Sequence, residues 1–73
     1  MSRLESFHIA LEQEDDGRWI GEIAVLPGVL AYGPTRETAL VAVQALALRV
    51  LADRLDHGEA VPSELMNVFF VGA

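Results

Sequence analysis

Thr35-Arg36-Glu37-Thr38-Ala39-Leu40-Val41-Ala42-Val43-Gln44-Ala45-Leu46-Ala47-Leu48-Arg49-Val50-Leu51-Ala52-Asp53-Arg54-Leu55-Asp56-His57-Gly58 is the stretch on which the fold turns. Between Thr35 and Gly58 there is no Pro or Gly, and Ala and Leu recur, so propensity and pattern agree on one long helix from about Arg36 to His57. Thr35 is the expected N-cap, with Glu37 facing the positive end of the helix dipole. Gly58 is the expected C′ residue. At ~100° per residue the large apolar side chains spread over about 220°, against the ~100° stripe that a helix lays on one sheet. Leu46, Val50 and Val43 stand at one end of that arc, Leu40 and Leu51 in its middle, and Leu55, Leu48 and Val41 at the other. Thr38, Arg49, Asp53 and Asp56 mark the wet side.

Upstream, Phe7, Ile9 and Leu11 alternate with His8, Ala10 and Glu12, the period of a half-buried strand. After Asp15-Asp16-Gly17, Trp19, Ile23 and Val25 share a face of a second strand. Parity selects the hairpin loop. A two-residue loop would set Leu11 against Glu22, whereas a three-residue loop pairs Leu11 with Gly21, Ile9 with Ile23 and Phe7 with Val25. The longer loop is expected, with Gly17 in the left-handed region. Leu26-Pro27-Gly28-Val29 reads as a tight turn with Gly at the position needing positive φ. A third strand, Val29–Tyr32, leads through Gly33-Pro34 into the helix. Asn67-Val68-Phe69-Phe70-Val71 is the expected last strand. The order is β-β-β-α-β, a two-layer α+β fold whose final strand returns beside the first and parallel to it, giving a mixed four-stranded sheet.

Composition sets the function classes. A chain of 73 residues is one domain, 1–73. At 52% hydrophobic it is too apolar for a disordered segment. Five Arg and no Lys against 11 carboxylates leave a net charge of -6, which argues against direct nucleic-acid binding. The absence of Cys excludes disulfides and thiolate metal sites, and two His are few for a zinc cage. No apolar run reaches the ~18 residues of a membrane span, and the N-terminus lacks the apolar core of a secretory signal. The expectation is a cytoplasmic protein with no cofactor and no membrane partner.

The chemistry-bearing residues point away from catalysis. His8 sits outward on a strand and His57 on the last helical turn, neither beside a nucleophile. Glu12, Glu14, Asp15 and Asp16 lack the spacing of a calcium loop and read as a solvated hairpin tip with an attraction for basic partners. Trp19 belongs to the core margin or to an interface. The flank Val41, Leu48 and Leu55, with Ala45 and Ala52 beside it, is surplus to one sheet. The final loop and chain ends could cover it; a second subunit is the reading favoured here, since contiguous apolar patches mark association. Phe69 and Phe70 put apolar groups on both faces of the last strand, which also suits a neighbouring subunit.

Leu26-Pro27-Gly28-Val29-Leu30-Ala31-Tyr32-Gly33-Pro34-Thr35-Arg36-Glu37-Thr38-Ala39-Leu40, with Leu11-Glu12-Gln13-Glu14-Asp15-Asp16-Gly17-Arg18-Trp19 and Gly58-Glu59-Ala60-Val61-Pro62, resembles the HicB-like antitoxin family. Val29 stands where that family commonly has Cys, Pro34 where it has Asp, and Thr38 where it has Glu, which weakens the expected capping box. The resemblance implies a partial ribonuclease H-like fold in a short, single-domain member without the C-terminal DNA-binding domain that many members carry. It implies a non-catalytic interaction module that neutralises a HicA-like toxin, a small basic mRNA-cleaving protein; the surplus helix flank, and not the resemblance, adds the expectation of a homo-oligomer. Ribonuclease H-type catalysis needs converging carboxylates. The inward residues of the first strand are Phe7, Ile9 and Leu11, so a metal-dependent nuclease using the acidic tip is the weakest reading. A stand-alone homo-oligomer, structural or binding a small ligand, is the alternative.

Overall fold

A computed structural model describes residues 7–61. In chain order its elements are β1 (Ala10–Gln13), β2 (Trp19–Glu22), β3 (Leu30–Gly33) and α1 (Arg36–Asp56). The strands form one antiparallel sheet in the order β1-β2-β3. The helix packs across one face, closest to β3, so the described part is a two-layer α+β unit. The expected strand over Asn67–Val71, with Phe69 and Phe70, lies outside the described residues.

The β1–β2 hairpin closes in the register that parity demands, with Leu11 opposite Gly21 and Gln13 opposite Trp19. The Glu14 N–H donates to the Arg18 carbonyl at 2.7 Å and the Gly17 N–H to the Glu14 carbonyl at 2.9 Å. Gly17 has φ +94°, so Asp15-Asp16-Gly17 forms the three-residue bulged turn.

Beyond Glu22 the structure departs from the alternation. β1 spans four residues and begins at Ala10, so the expected pairs Ile9–Ile23 and Phe7–Val25 fall outside the ladder. The Ile23 carbonyl accepts from the Leu26 N–H at 3.0 Å, which turns the chain and throws Val25 outward, half exposed instead of in the core. Leu26 and Val29 take its place, both buried. The Leu26 carbonyl then accepts from the Val29 N–H at 2.9 Å, with Gly28 at φ +86° in the turn that Pro27-Gly28 predicts. Two turns in succession thus fold Leu26 inward, and the Ile23 N–H closes the pair on the Val29 carbonyl at 3.1 Å.

Ile23, Leu26, Val29, Val43, Ala47 and Leu51 form the core, with Phe7, Ile9, Ala31, Leu46, Val50 and Val61 packed around it. Each large side chain so buried contributes about 1.5–3 kcal/mol. Two glycines bring the layers together. A Cβ on Gly21 would lie 3.0 Å from Val43 Cγ1 and 3.3 Å from the Ala39 carbonyl oxygen. One on Gly33 would overlap Thr38 Oγ1 and sit 2.5 Å from the Ala39 nitrogen. The helix rests where these side chains are missing.

Both helix ends are closed by local chemistry. The Thr38 N–H donates to Thr35 Oγ1 at 3.1 Å and the Thr35 N–H to Thr38 Oγ1 at 2.9 Å. This is a complete capping box, so Thr38 supplies the oxygen that a Glu would otherwise bring, and the expected weakening does not occur. At the other end Glu59 N–H donates to the Arg54 carbonyl at 2.8 Å and Gly58 N–H to the Leu55 carbonyl at 3.2 Å, with Gly58 at φ +70°. That is the Schellman arrangement, and it stops α1 at Asp56 with His57 as the C-cap.

Candidate functional site

The ladder assigns every sheet residue to a face. Leu11, Gly21 and Ala31, and beyond them Gln13, Trp19 and Gly33, share the helix side. Ala10, Glu22 and Leu30, and then Glu12, Ile20 and Tyr32, share the outer side. Glu12 and Trp19 therefore lie on opposite faces, although both belong to the candidate partner-binding set. Trp19 is half-buried on the helix side of the sheet, and it is not among the side chains packed against the core.

The acidic residues are brought together. Glu12, Gln13, Glu14, Asp15 and Asp16 line an open, polar hollow at the hairpin tip. Glu12, Asp15 and Asp16 are exposed, and Glu14 is half-buried. Asp16 is tied down: its Oδ1 accepts from the Arg18 N–H at 3.0 Å and its Oδ2 from Arg18 Nε at 2.8 Å. The backbone bond from Arg18, with the nearby guanidinium, holds the Asp16 carboxyl below its ordinary value of 3.8, against a smaller opposing effect of desolvation. Among the described residues no cluster of His and acidic side chains is placed to hold a metal ion.

One pair escaped the sequence reading. The Arg18 guanidinium stacks 4.5 Å from the centroid of the Tyr32 ring while bonded to Asp16. Alternation alone puts Arg18 and Tyr32 on the outer face of neighbouring strands, which was the signal available. An exposed Asp16–Arg18–Tyr32 chain thus links the hairpin tip to the third strand.

His8 is exposed. His57 Nδ1 lies 2.8 Å from the Asp53 carbonyl oxygen and 3.4 Å from Asp53 Oδ1, a helix-end contact with no nucleophile beside it. The surplus flank is present as the sequence implied. Val41, Leu48 and Leu55 are 63%, 67% and 48% exposed, so the side chains packed on the sheet leave this stripe uncovered. Beside it Ala52 is exposed and Ala45 half-buried. The stripe repeats every seven residues, the spacing at which a helix presents one seam. No described helix is long and apolar enough to cross a membrane.

In comparisons with known proteins, no family model, no curated protein and no solved structure matches this chain.

Proposed function

We propose that this chain is a non-catalytic interaction module of the HicB-like antitoxin type, acting in the cytoplasm to neutralise a HicA-like mRNA-cleaving toxin. The observation that carries the proposal is the hairpin tip, where Glu12 at the end of β1, half-buried Glu14 and the exposed turn residues Asp15 and Asp16 line one open hollow in a chain with net charge -6. Complementary potential speeds the encounter of such a surface with a small basic protein and can mask its RNA-binding face. The Arg18 link supports the same reading, since it favours one conformation of the tip before a partner arrives and lowers the ordering cost of binding. The Leu26–Leu40 resemblance supplies the partner class. The proposal extends to the fold: Asn67–Val71 adds a strand beside β1, giving the partial ribonuclease H-like sheet.

The uncovered Val41, Leu48 and Leu55 stripe favours a second element of the proposal, that the module works as a homo-oligomer. The test is to mix the purified chain with purified HicA-like toxins and follow RNA cleavage. Inhibition by the parent, weakened in a Glu12→Gln, Asp15→Asn double variant and more so at high salt, is the expected result. Undiminished cleavage across several such toxins overturns the proposal.

A further inference from the structure

We infer that the free edge of β3 is a self-recognition strand, pairing antiparallel with β3 of a second copy across a two-fold axis at Ala31. The inference stands apart from toxin binding and uses neither the acidic tip nor the helix flank.

The phase of the ladder sets which backbone groups are open. Antiparallel pairs alternate between residues that exchange hydrogen bonds and residues that do not. The Ile23 N–H bonds the Val29 carbonyl, so the exchanging pairs going up the ladder are Gly21 with Ala31 and Trp19 with Gly33. Leu30 and Tyr32 consequently turn their N–H and C=O groups away from β2. Among the described residues β3 is an edge strand, and nothing pairs these four groups.

The register follows by elimination. Two such edges meet with open residues opposite each other. Pairing Tyr32 with Tyr32 sets Leu30 against Pro34, which has no N–H to give. Pairing Leu30 with Leu30 sets Tyr32 against Gly28, which sits in the turn at φ +86°. Pairing Leu30 with Tyr32 uses every open group, four bonds in all, and puts the two Ala31 residues on the axis as the close, non-bonded pair. The small Ala31 side chain suits the close approach there. On the outer face each Leu30 then lies against a Tyr32 ring that Arg18 already holds in place.

Of the two described edges, this is the one at which a second copy meets no like charge. From Ile23 to Thr35 the chain carries no charged side chain, in a molecule of net charge -6. The other described edge, β1, holds Glu12 and runs into Glu14, Asp15 and Asp16, so two copies repel there. Edge strands in monomers are usually blunted by charge, a bulge or an internal Pro. The edge from Leu30 to Gly33 has none of these three, its one protection being its length of four residues, just enough for the four bonds of this register.

The experiment uses Ala31→Cys, which gives the chain its one thiol. Under mild oxidation it should form an intermolecular disulfide readily, because non-bonded antiparallel pairs bring the two Cα atoms within disulfide range. Leu30→Pro in the same background, checked for folding by circular dichroism, should abolish the cross-link, while Leu48→Glu should leave it unchanged. In the unaltered protein, amide exchange at Leu30 and Tyr32 should slow by about tenfold or more on going from dilute to concentrated solution, with Ala31 protected at both. No cross-link through the introduced thiol, or exchange at Leu30 and Tyr32 that is fast and independent of concentration, overturns the inference.

Discussion

Replacing Gly33 by Ala adds a single methyl group, yet it should be among the most damaging changes available to this domain. The new Cβ would overlap Thr38 Oγ1, stand 2.5 Å from the Ala39 nitrogen and 2.8 Å from the Thr38 carbonyl carbon. The first obstacle is a hydroxyl that can rotate; the other two are helix backbone and cannot yield without lifting the first turn of α1 from β3. Overpacking of this kind costs about 1–3 kcal/mol. Displacing Thr38 also strains the capping box, worth about 1 kcal/mol. A total of about 2–4 kcal/mol falls on a 73-residue chain whose whole stability is of order 4–11 kcal/mol. Thermal unfolding followed by circular dichroism should show a fall in Tm of roughly 10–30 °C. Adding Thr38→Ala should not restore stability, because it removes only the hydroxyl and leaves the two backbone contacts. A Gly33→Ala variant within about 0.5 kcal/mol of the parent, the range of ordinary surface changes, would refute the reasoning.

Leu48→Glu, at the centre of the exposed stripe, should change monomer stability by no more than about 0.5 kcal/mol, since the side chain is two-thirds exposed, while lowering the oligomer's mass in light scattering; an unchanged mass with intact folding counts against the stripe as an interface. Thr35→Ala removes the acceptor of the Thr38 N–H and should cost about 1 kcal/mol in urea unfolding, whereas Thr35→Ser should be nearly neutral. The Asp16 carboxyl is held below its ordinary value in the folded state, so its contribution is complete above about pH 4 and is lost as pH falls through the lowered folded value. Asp16→Asn should therefore flatten the acid limb of a Tm-against-pH curve below pH 4, and an unchanged limb would show that the Arg18 bond adds nothing to folding.

Local signals in the sequence located the turns and the helix with little error. Gly17 and Gly28 each sit at the positive φ that their turn demands, and Thr35 and Gly58 bound α1 within a residue of expectation. The hairpin register followed from parity alone, because one slipped residue would have exposed a whole face. The end of β2 was not legible. Apolar alternation continues through Ile23-Ala24-Val25, and nothing local says that Ile23 closes a turn on Leu26 and sends Val25 into solvent. The same limit hid Gly21, whose contacts are with Val43 and Ala39 about twenty residues on; Gly33 meets Thr38 and Ala39 only five and six residues away, but that approach depends on how the chain folds back at Pro34, which apolar alternation does not encode. Thr38 stands where a capping box commonly has Glu, yet the geometry needs only an oxygen at that position, which residue type alone does not reveal. Of the candidate site, the acidic tip and the exposed stripe were readable from charge and helical period. Their separation from Trp19 needed the assignment of faces.

The two missing side chains under α1 fix more than the spacing of the layers. The helix sits over a pair of notches, one beneath Ala39 and Val43 and the other beneath Thr38, and close approach at both points favours one seating of its axis over the sheet. The azimuth at which Val41, Leu48 and Leu55 leave the molecule is therefore set by the floor beneath them, and every copy offers the same leucine and valine tips in the same direction.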